Sequence, residues 1–222
     1  MKWATNALPA AEAFSAAEDD AKLAAWLDSR CGKLTGSRMK DAMDFLKNGN
    51  PSVKRSDYMR ELLAERLTGA SMRHFVNAAM EWGIQTEPEA KLVYEEVAKV
   101  KLLPADFCEH RSIENFGATP DGFIGSDGLL EVKCPTTGTF IEWRLKGGVP
   151  DEHKPQMIAQ CLCTGRKWVD FFAYDPRIKD KKLNRILRRF EPTLEELGRV
   201  EEAAVQFLSE LDNLFDAFVN AQ

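Results

Sequence analysis

The stretch Gly117–Pro135, which reads GATPDGFIGSDGLLEVKCP, constrains this chain more than any other. Its middle, Gly125-Ser126-Asp127-Gly128, is turn chemistry, and the apolar flanks Phe123-Ile124 and Leu129-Leu130 make the whole a β-hairpin. Nine residues separate Asp121 from Glu131-Val132-Lys133, so folding about Ser126 sets Asp121 opposite the Glu131–Val132 pair. Strand alternation puts Glu131 and Lys133 on one face. Two carboxylates and an ammonium then converge. Oxygen donors of this kind suit Mg²⁺ or Mn²⁺, and a lysine beside the metal can orient or deprotonate a water. The same residues also suit a plain hairpin, with Asp-Gly as the turn and E-x-K as a solvated edge carrying an ion pair. Thr-Pro before Asp121 and Cys-Pro after Lys133 weigh against that, because proline removes ladder donors.

With 222 residues the chain is long enough for one sizeable α/β domain. No apolar run approaches the roughly 20 residues that span a bilayer. The first 20 residues carry acids and lack the apolar core of a signal peptide, so a cytoplasmic protein away from membranes is expected. Five scattered cysteines, an odd number, do not form a disulfide framework. The net charge of −5 argues against broad coating of nucleic acid. Charge is nonetheless uneven: RIKDKKLNRILRR, from Arg177 to Arg189, has Asp180 as its only acid. Such a stripe can contact phosphate, although a solvated strand with ordinary lysines fits it equally.

Along the chain, residues 10–28 read as an alanine-rich helix. Thr35 and Ser37 are natural caps for a helix from about Arg38 to Leu46, with Arg30 close by. A hydroxyl-bearing helix N-terminus beside an arginine can hold an anion, although ordinary caps are commoner. Residues 47–57 read as a polar loop with Lys47, Lys54 and Arg55, and a helix from about Asp57 to Leu67 ends at Gly69. Met72 to Val100 is helical in spacing, with a break at Pro88 that suits the first turn of a second helix. Taken alone, Glu87 and Glu89 are first-turn acids favoured by the helix dipole. A strand over about 105–116 leads into the hairpin. Phe140 to Gly148 is a short helix carrying Arg144 and Lys146, solvent-facing by default. Strands follow at Val169–Tyr174 and about Leu183–Phe190. Thr193 and Glu196 form a capping box for a last helix, about 194–219, whose apolar stripe runs from Leu194 to Phe218 and packs on its own domain.

PDG followed by LLEVKCP resembles the PD-(D/E)xK nuclease signature in the form carried by the lambda exonuclease and YqaJ-type viral recombinase family of alkaline exonucleases. The resemblance covers roughly residues 24–190, and its most specific parts are the hairpin and the YDPR stretch ending at Arg177. It implies a restriction-endonuclease-like α/β core, a mixed central β-sheet flanked by α-helices, in a single nuclease domain. Asp121 and Glu131 would hold Mg²⁺ (Mn²⁺ being the alternative), two ions per site, with the Val132 carbonyl and Glu87 helping. Lys133 would activate the water. Gln156, matched better than Gln160 to the family's glutamine, would position the lysine or the water, although Lys154-Pro155 replaces the family's nearby aromatic. Arg30, Ser37 and Thr119 fall on the family's pocket for a terminal 5′-phosphate. Lys47, Lys54, Arg55 and Arg144 would lie near DNA.

The function so implied is a 5′→3′ exonuclease on linear double-stranded DNA. It would release 5′-mononucleotides and leave 3′ overhangs for a phage-type single-strand annealing protein, working as a homotrimeric ring of phage or prophage origin. Two rivals stand beside it: a structure-specific or single-strand endonuclease on the same core, and a non-catalytic DNA-end-binding module. The intact Asp121, Glu131 and Lys133 disfavour the module; the Arg30, Ser37 and Thr119 pocket disfavours the endonuclease. Three histidines in separate segments do not make a zinc site, and neither a P-loop nor a G-x-S-x-G elbow occurs.

Overall fold

The computed structural model describes residues 24–72 and 78–221. Two sheets organise it. Five strands lie in the order β2 (Leu102–Leu103), β5 (Gly122–Ile124), β6 (Gly128–Lys133), β7 (Trp168–Tyr174), β8 (Arg185–Phe190). β6 and β7 run parallel and every other pair is antiparallel, so the sheet is mixed. A small sheet joins β1 (Leu34–Thr35) in parallel to β4 (Phe116–Ala118), which pairs antiparallel with β3 (Cys108–Glu109).

Alternation along β6 and β7 decides what covers each face. Leu129, Val169, Phe171 and Ala173 pack with Phe140 of α5 (Thr137–Lys146) and with Met157 and Cys161 of α6 (Lys154–Thr164). Leu130, Val132, Phe172 and Tyr174 point the other way, onto Ala90 and Tyr94 of α4 (Ala78–Ala98). Behind α6, a third cluster gathers α2 (Met39–Ala42), α3 (Val53–Thr68) and α7 (Leu194–Asn220) around Met39, Tyr58, Leu62 and Phe207. Buried on both faces, β6 and β7 form the central layer of the sheet. A further helix, α1, covers residues 24–30; the start of the expected helix over 10–28 lies outside the described residues.

Several boundaries differ from expectation for local reasons. α2 stops at Ala42 because the Asn48-Gly49-Asn50-Pro51 run reverses the chain; the Leu46 N–H donates to the Asn50 carbonyl at 2.8 Å and Gly49 takes φ 84°. α3 begins at Val53 rather than Asp57, because the Ser52 hydroxyl accepts from the Arg55 N–H at 3.1 Å and caps it there. α4 runs through Pro88 without a break. The bond lost is to Ile84, on an exposed stretch where water can take the free carbonyl. The expected strand over 105–116 is instead β3 and β4, separated by a turn in which His110 Nδ1 accepts from the Ile113 N–H at 3.0 Å and Asn115 takes φ 60°. β2 carries no signal of its own.

The capping box at Thr193 and Glu196 is present. The stripe of α7 is buried only in its middle, from Val200 to Leu211, while Leu194 and Phe218 at its ends are exposed.

Candidate active site and end-binding pocket

The hairpin register fixes the centre. Gly122 pairs with Leu130, and the Asp121 N–H donates to the Leu130 carbonyl at 3.0 Å. Asp121 therefore lies beside Glu131 and Val132, and its Oδ2 accepts from the Val132 N–H at 2.6 Å. Proline at position 120 supplies no donor and ends the small-sheet pairing of β4 just before this point. Glu131, in a strand paired on both sides, is only 1 % exposed. Its two oxygens have separate partners: Gln160 Nε2 donates to Oε2 at 2.6 Å, and Lys133 Nζ lies 2.5 Å from Oε1. The ammonium also reaches Gln156 Oε1 at 3.5 Å. Gln156 and Gln160 lie one turn apart on α6, the helix facing the odd-numbered side of β6. Gln156 thus stands where expected. Gln160, passed over in favour of it, is the glutamine that holds the buried carboxylate; its i, i+4 spacing from Gln156 is the signal that both share a face.

Glu87 enters from α4. It lines a cleft of about 350 Å³ with Gly83, Val132, Lys133 and Pro135, and pairs with Lys91 at 2.7 Å. Glu89, two residues on, turns away to accept from the Tyr174 hydroxyl at 2.7 Å.

Electrostatics agree with the crowding. Burial, then the neighbouring Glu131 and Glu87 carboxylates, push Asp121 up to about 8, only partly opposed by Lys133 and the Val132 N–H. Burial would lower the Lys133 pKa, but Glu131 and Asp121 outweigh it and hold the group above its ordinary value as an ammonium. The centre is therefore short of positive charge. Among the described residues no three His, Cys, Asp or Glu side chains already form a metal cage. The donor set still fits a hard divalent cation: an all-oxygen pair of carboxylates, with negative charge that one lysine does not balance.

A second cleft, of about 490 Å³, is lined by Arg30, Lys33, Thr35, Ser37, Arg38 and Tyr58 among others. Met80 lines this cleft and the acidic one, so the two adjoin. Arg30 Nη2 donates to Ser37 Oγ at 3.3 Å, and its guanidinium lies 4.0 Å from the Trp26 ring centre. Thr35 Oγ1 and Ser37 Oγ are 3.4 Å apart, and the Tyr58 hydroxyl accepts from the Thr35 N–H at 3.1 Å. β1 pairs with β4 in the register Thr35–Gly117, so Ser37 and Thr119 leave the two strands at the same end. The Thr119 hydroxyl is buried and has no hydrogen-bond partner, and Thr119 is not among the residues that line the cleft.

The four residues expected near DNA separate. Lys47 and Lys54 are exposed. Arg55 is a correction: it is 3 % exposed, donates to the Ala42 carbonyl at 2.9 Å and to Glu210 at 2.7 Å, and lies over Phe45 and Phe207. It ties α3 to α7 because capping at Ser52 turns its side chain inward. Arg144 is exposed but donates to the Leu183 and Arg185 carbonyls at 3.2 and 3.1 Å. A further arginine, which opens the basic stripe and ends the YDPR stretch, is structural. Arg177 pairs with buried Asp175 at 2.7 Å, donates to the Pro135 carbonyl at 2.7 Å and lies 4.4 Å from the Trp82 ring centre. It bolts the end of β7 to the end of β6 and to α4.

A mixed sheet carrying buried carboxylates and a lysine on its central hairpin, with helices on both faces, is the restriction-endonuclease-like fold. The chain belongs to the YqaJ-like viral recombinase family, whose domain model it matches over residues 25–167. It is similar to the alkaline exonuclease LHK-Exo of Laribacter hongkongensis, with 36% identity, a TM-score of 0.80, and 87% of this chain and 95% of that one covered. A structure of the same relative in complex with dAMP gives a TM-score of 0.81. A phage related exonuclease from Haemophilus somnus 129PT shares the fold at 13% identity and TM-score 0.66, covering 84% of this chain and 96% of that one. No curated protein matches the chain. Among the described residues no helix is long and apolar enough to cross a membrane.

Proposed function

We propose that the chain is a Mg²⁺-dependent 5′→3′ exonuclease on linear double-stranded DNA. The observation that carries this reading is the adjacency of the two clefts. An acidic centre suited to hydrolysing a phosphodiester meets, at Met80, a guanidinium and hydroxyl pocket suited to a phosphate dianion. An endonuclease has no need of the second; an end-binding module has no need of a crowded, desolvated first. Membership of the family and the likeness to an alkaline exonuclease support a DNA exonuclease, and the dAMP bound to that relative is a nucleotide of the product class.

In this reading Asp121, Glu131 and the Val132 carbonyl hold the metal, and Glu87 adds charge from the rim. The bound ion would supply Lewis acidity at the phosphoryl oxygens and a water of lowered pKa. Gln160 keeps Glu131 in its ligating rotamer. The Lys133 ammonium, steadied by Gln156, aligns the water and offsets charge developing on the phosphoryl group. A new P–O bond forms to the water oxygen while the P–O3′ bond breaks, so the first nucleotide leaves with a 3′-hydroxyl and its own 5′-phosphate. The next nucleotide keeps the attacked phosphate. Every cut therefore regenerates the end that Arg30, Ser37 and Thr119 bind, which favours successive cuts and leaves a 3′ overhang. The family resemblance supports a homotrimeric ring, and a single-strand annealing protein to receive that overhang.

The test is digestion of linear duplex with 5′-phosphate or 5′-hydroxyl ends, in Mg²⁺ or EDTA, by wild type and Lys133→Ala, with closed circular DNA alongside. Mononucleotides released from phosphorylated ends in Mg²⁺ only, and lost in the variant, are the expected result. Cutting of closed circles would replace the proposal with an endonuclease, and end binding without cleavage would leave a binding module.

A further inference from the structure

Nine of the described basic side chains outside the two clefts are neutralised locally: Arg55, Arg60, Arg66, Lys91, Lys101, Lys154, Lys167, Arg177 and Arg189 form ion pairs. The loop between β7 and β8 and the last turn of α5 are different. Among the described residues Lys146, Lys179, Lys181, Lys182, Arg185 and Arg188 take part in no ion pair, and all but half-buried Arg185 are exposed. Arg144 joins the two elements through its bonds to the Leu183 and Arg185 carbonyls. Local acids offset this only in part: Asp151 is paired with Lys154, and the remaining carboxylates, Asp180, Glu142 and Glu152, are outnumbered by the six cations.

Position and composition narrow the ligand. Lys133 pairs with Ala173, so β6 and β7 run out at the same end of the sheet, and Arg177 fastens the start of this loop to Pro135. The cations thus flank the rim of the acidic centre. Apolar side chains stand bare among them: Leu145 is 83% exposed, Ile141 48% and Leu183 46%. Duplex DNA offers only its phosphates to such a surface at the backbone. A single strand offers phosphates and bases together, and cations interleaved with apolar platforms are what it needs. Edge protection explains charges on β8, which ends the sheet, but not those on α5 or the loop.

We infer that this strip, Lys146, Lys179, Lys181, Lys182 and Arg185 with Leu145 and Leu183, binds the backbone and bases of single-stranded DNA leaving the site. Only the choice of DNA as the polyanion rests on the proposed nuclease function.

The experiment measures fluorescence anisotropy of labelled oligothymidine without a 5′-phosphate, in EDTA, so that neither hydrolysis nor the end pocket contributes. The variants are Lys179→Ala/Lys181→Ala/Lys182→Ala and Leu145→Ala, whose surface positions leave melting unchanged. The triple variant is expected to bind at least about 10-fold more weakly, and its slope of log K against log salt should shrink by about 2. Leu145→Ala should weaken binding about 3-fold with the slope unchanged. Digestion of a short 5′-phosphorylated duplex in Mg²⁺ should start at the wild-type rate in both. Unchanged affinity, or an equal loss on blunt 5′-hydroxyl duplex, would overturn the inference. A change in oligomeric mass would overturn it too, by making the strip a contact between copies. If wild type binds the oligonucleotide as expected but cleaves nothing, the nuclease reading fails and the strip stands.

Discussion

The acidic centre and the pocket beside it are built by different means. Asp121, Glu131 and Lys133 sit on or beside two paired strands, so backbone register places them and buried neighbours hold them, with contacts of 2.5 and 2.6 Å. Arg30 comes from α1, Ser37 from the short 3₁₀ turn Gly36–Arg38, and Thr119 from the loop after β4. Arg30 and Ser37 share a single 3.3 Å bond, and the Thr119 hydroxyl is buried without a partner. The proposed function accounts for the difference: a centre that stabilises a transition state is best held in place beforehand, whereas a pocket that admits and releases a DNA end would complete its bonding on the ligand.

Kinetics can break or sharpen this contrast. Lys133→Ala should lower kcat by about 10³-fold on 5′-phosphate and 5′-hydroxyl ends alike, because the ammonium acts on the reacting phosphoryl group. Arg30→Ala should cost about 10- to 100-fold in kcat/KM on phosphorylated ends, the worth of one charge-assisted contact, and little on hydroxyl ends. Parallel digestions with both substrates separate the two patterns. Equal losses in Arg30→Ala on both ends would mean that the pocket serves the chemistry rather than the terminus.

Gln160→Leu probes the rigidity directly. The 2.6 Å bond from its amide reaches a carboxylate that is 1 % exposed. Removing it leaves Glu131 Oε2 buried without a partner and its carboxylate free to turn about the Lys133 contact, so activity should fall about 10-fold, with a stability loss of about 1–3 kcal/mol. Gln160→Glu would put a third carboxylate in the centre and should do worse. Thermal melting in EDTA, alongside the digestion rate, checks both. A leucine variant with wild-type rate would show that β6 alone orients Glu131.

The same contrast explains what the sequence disclosed. A turn with alternating flanks fixes register, so the places of Asp121, Glu131 and Lys133 were legible from spacing alone, and so were β7, β8 and the capping box of α7. The pocket was not. Arg30 and Ser37 looked like any arginine beside a helix cap, and only the family resemblance distinguished them. Gln160 was missed because choosing between two glutamines one turn apart needs the position of β6. Arg55 was misplaced because the serine cap brings it inside α3, one turn before Met59 on the face that packs into the core. Arg177 shows the remaining difficulty: its three partners come from β7, β6 and α4, and no local pattern states that they meet.

The smallest effect concerns what the crowded centre costs the fold. Asp121 is raised from 3.8 to about 8 by burial and by the Glu131 and Glu87 carboxylates. In the unfolded chain it ionises near its ordinary value, so the folded state binds this proton more tightly. The resulting stabilisation is fully present below about pH 4 and is lost as pH rises toward 8. Asp121→Asn keeps an acceptor for the Val132 N–H and removes the charge. In EDTA at pH 8 it should melt about 2–8 °C above wild type, with the gap closing toward pH 4. Mg²⁺ should raise wild type and leave the variant almost unmoved, since binding only the folded state is itself stabilising. Because the variant is also expected to be inactive, stability and activity would then change in opposite directions at one atom of the hairpin. If the Asn variant instead melts lower at pH 8, the Asp121 carboxylate is stabilised by its backbone bond more than it is opposed by its neighbours. The acidic centre would then not be strained in the absence of metal.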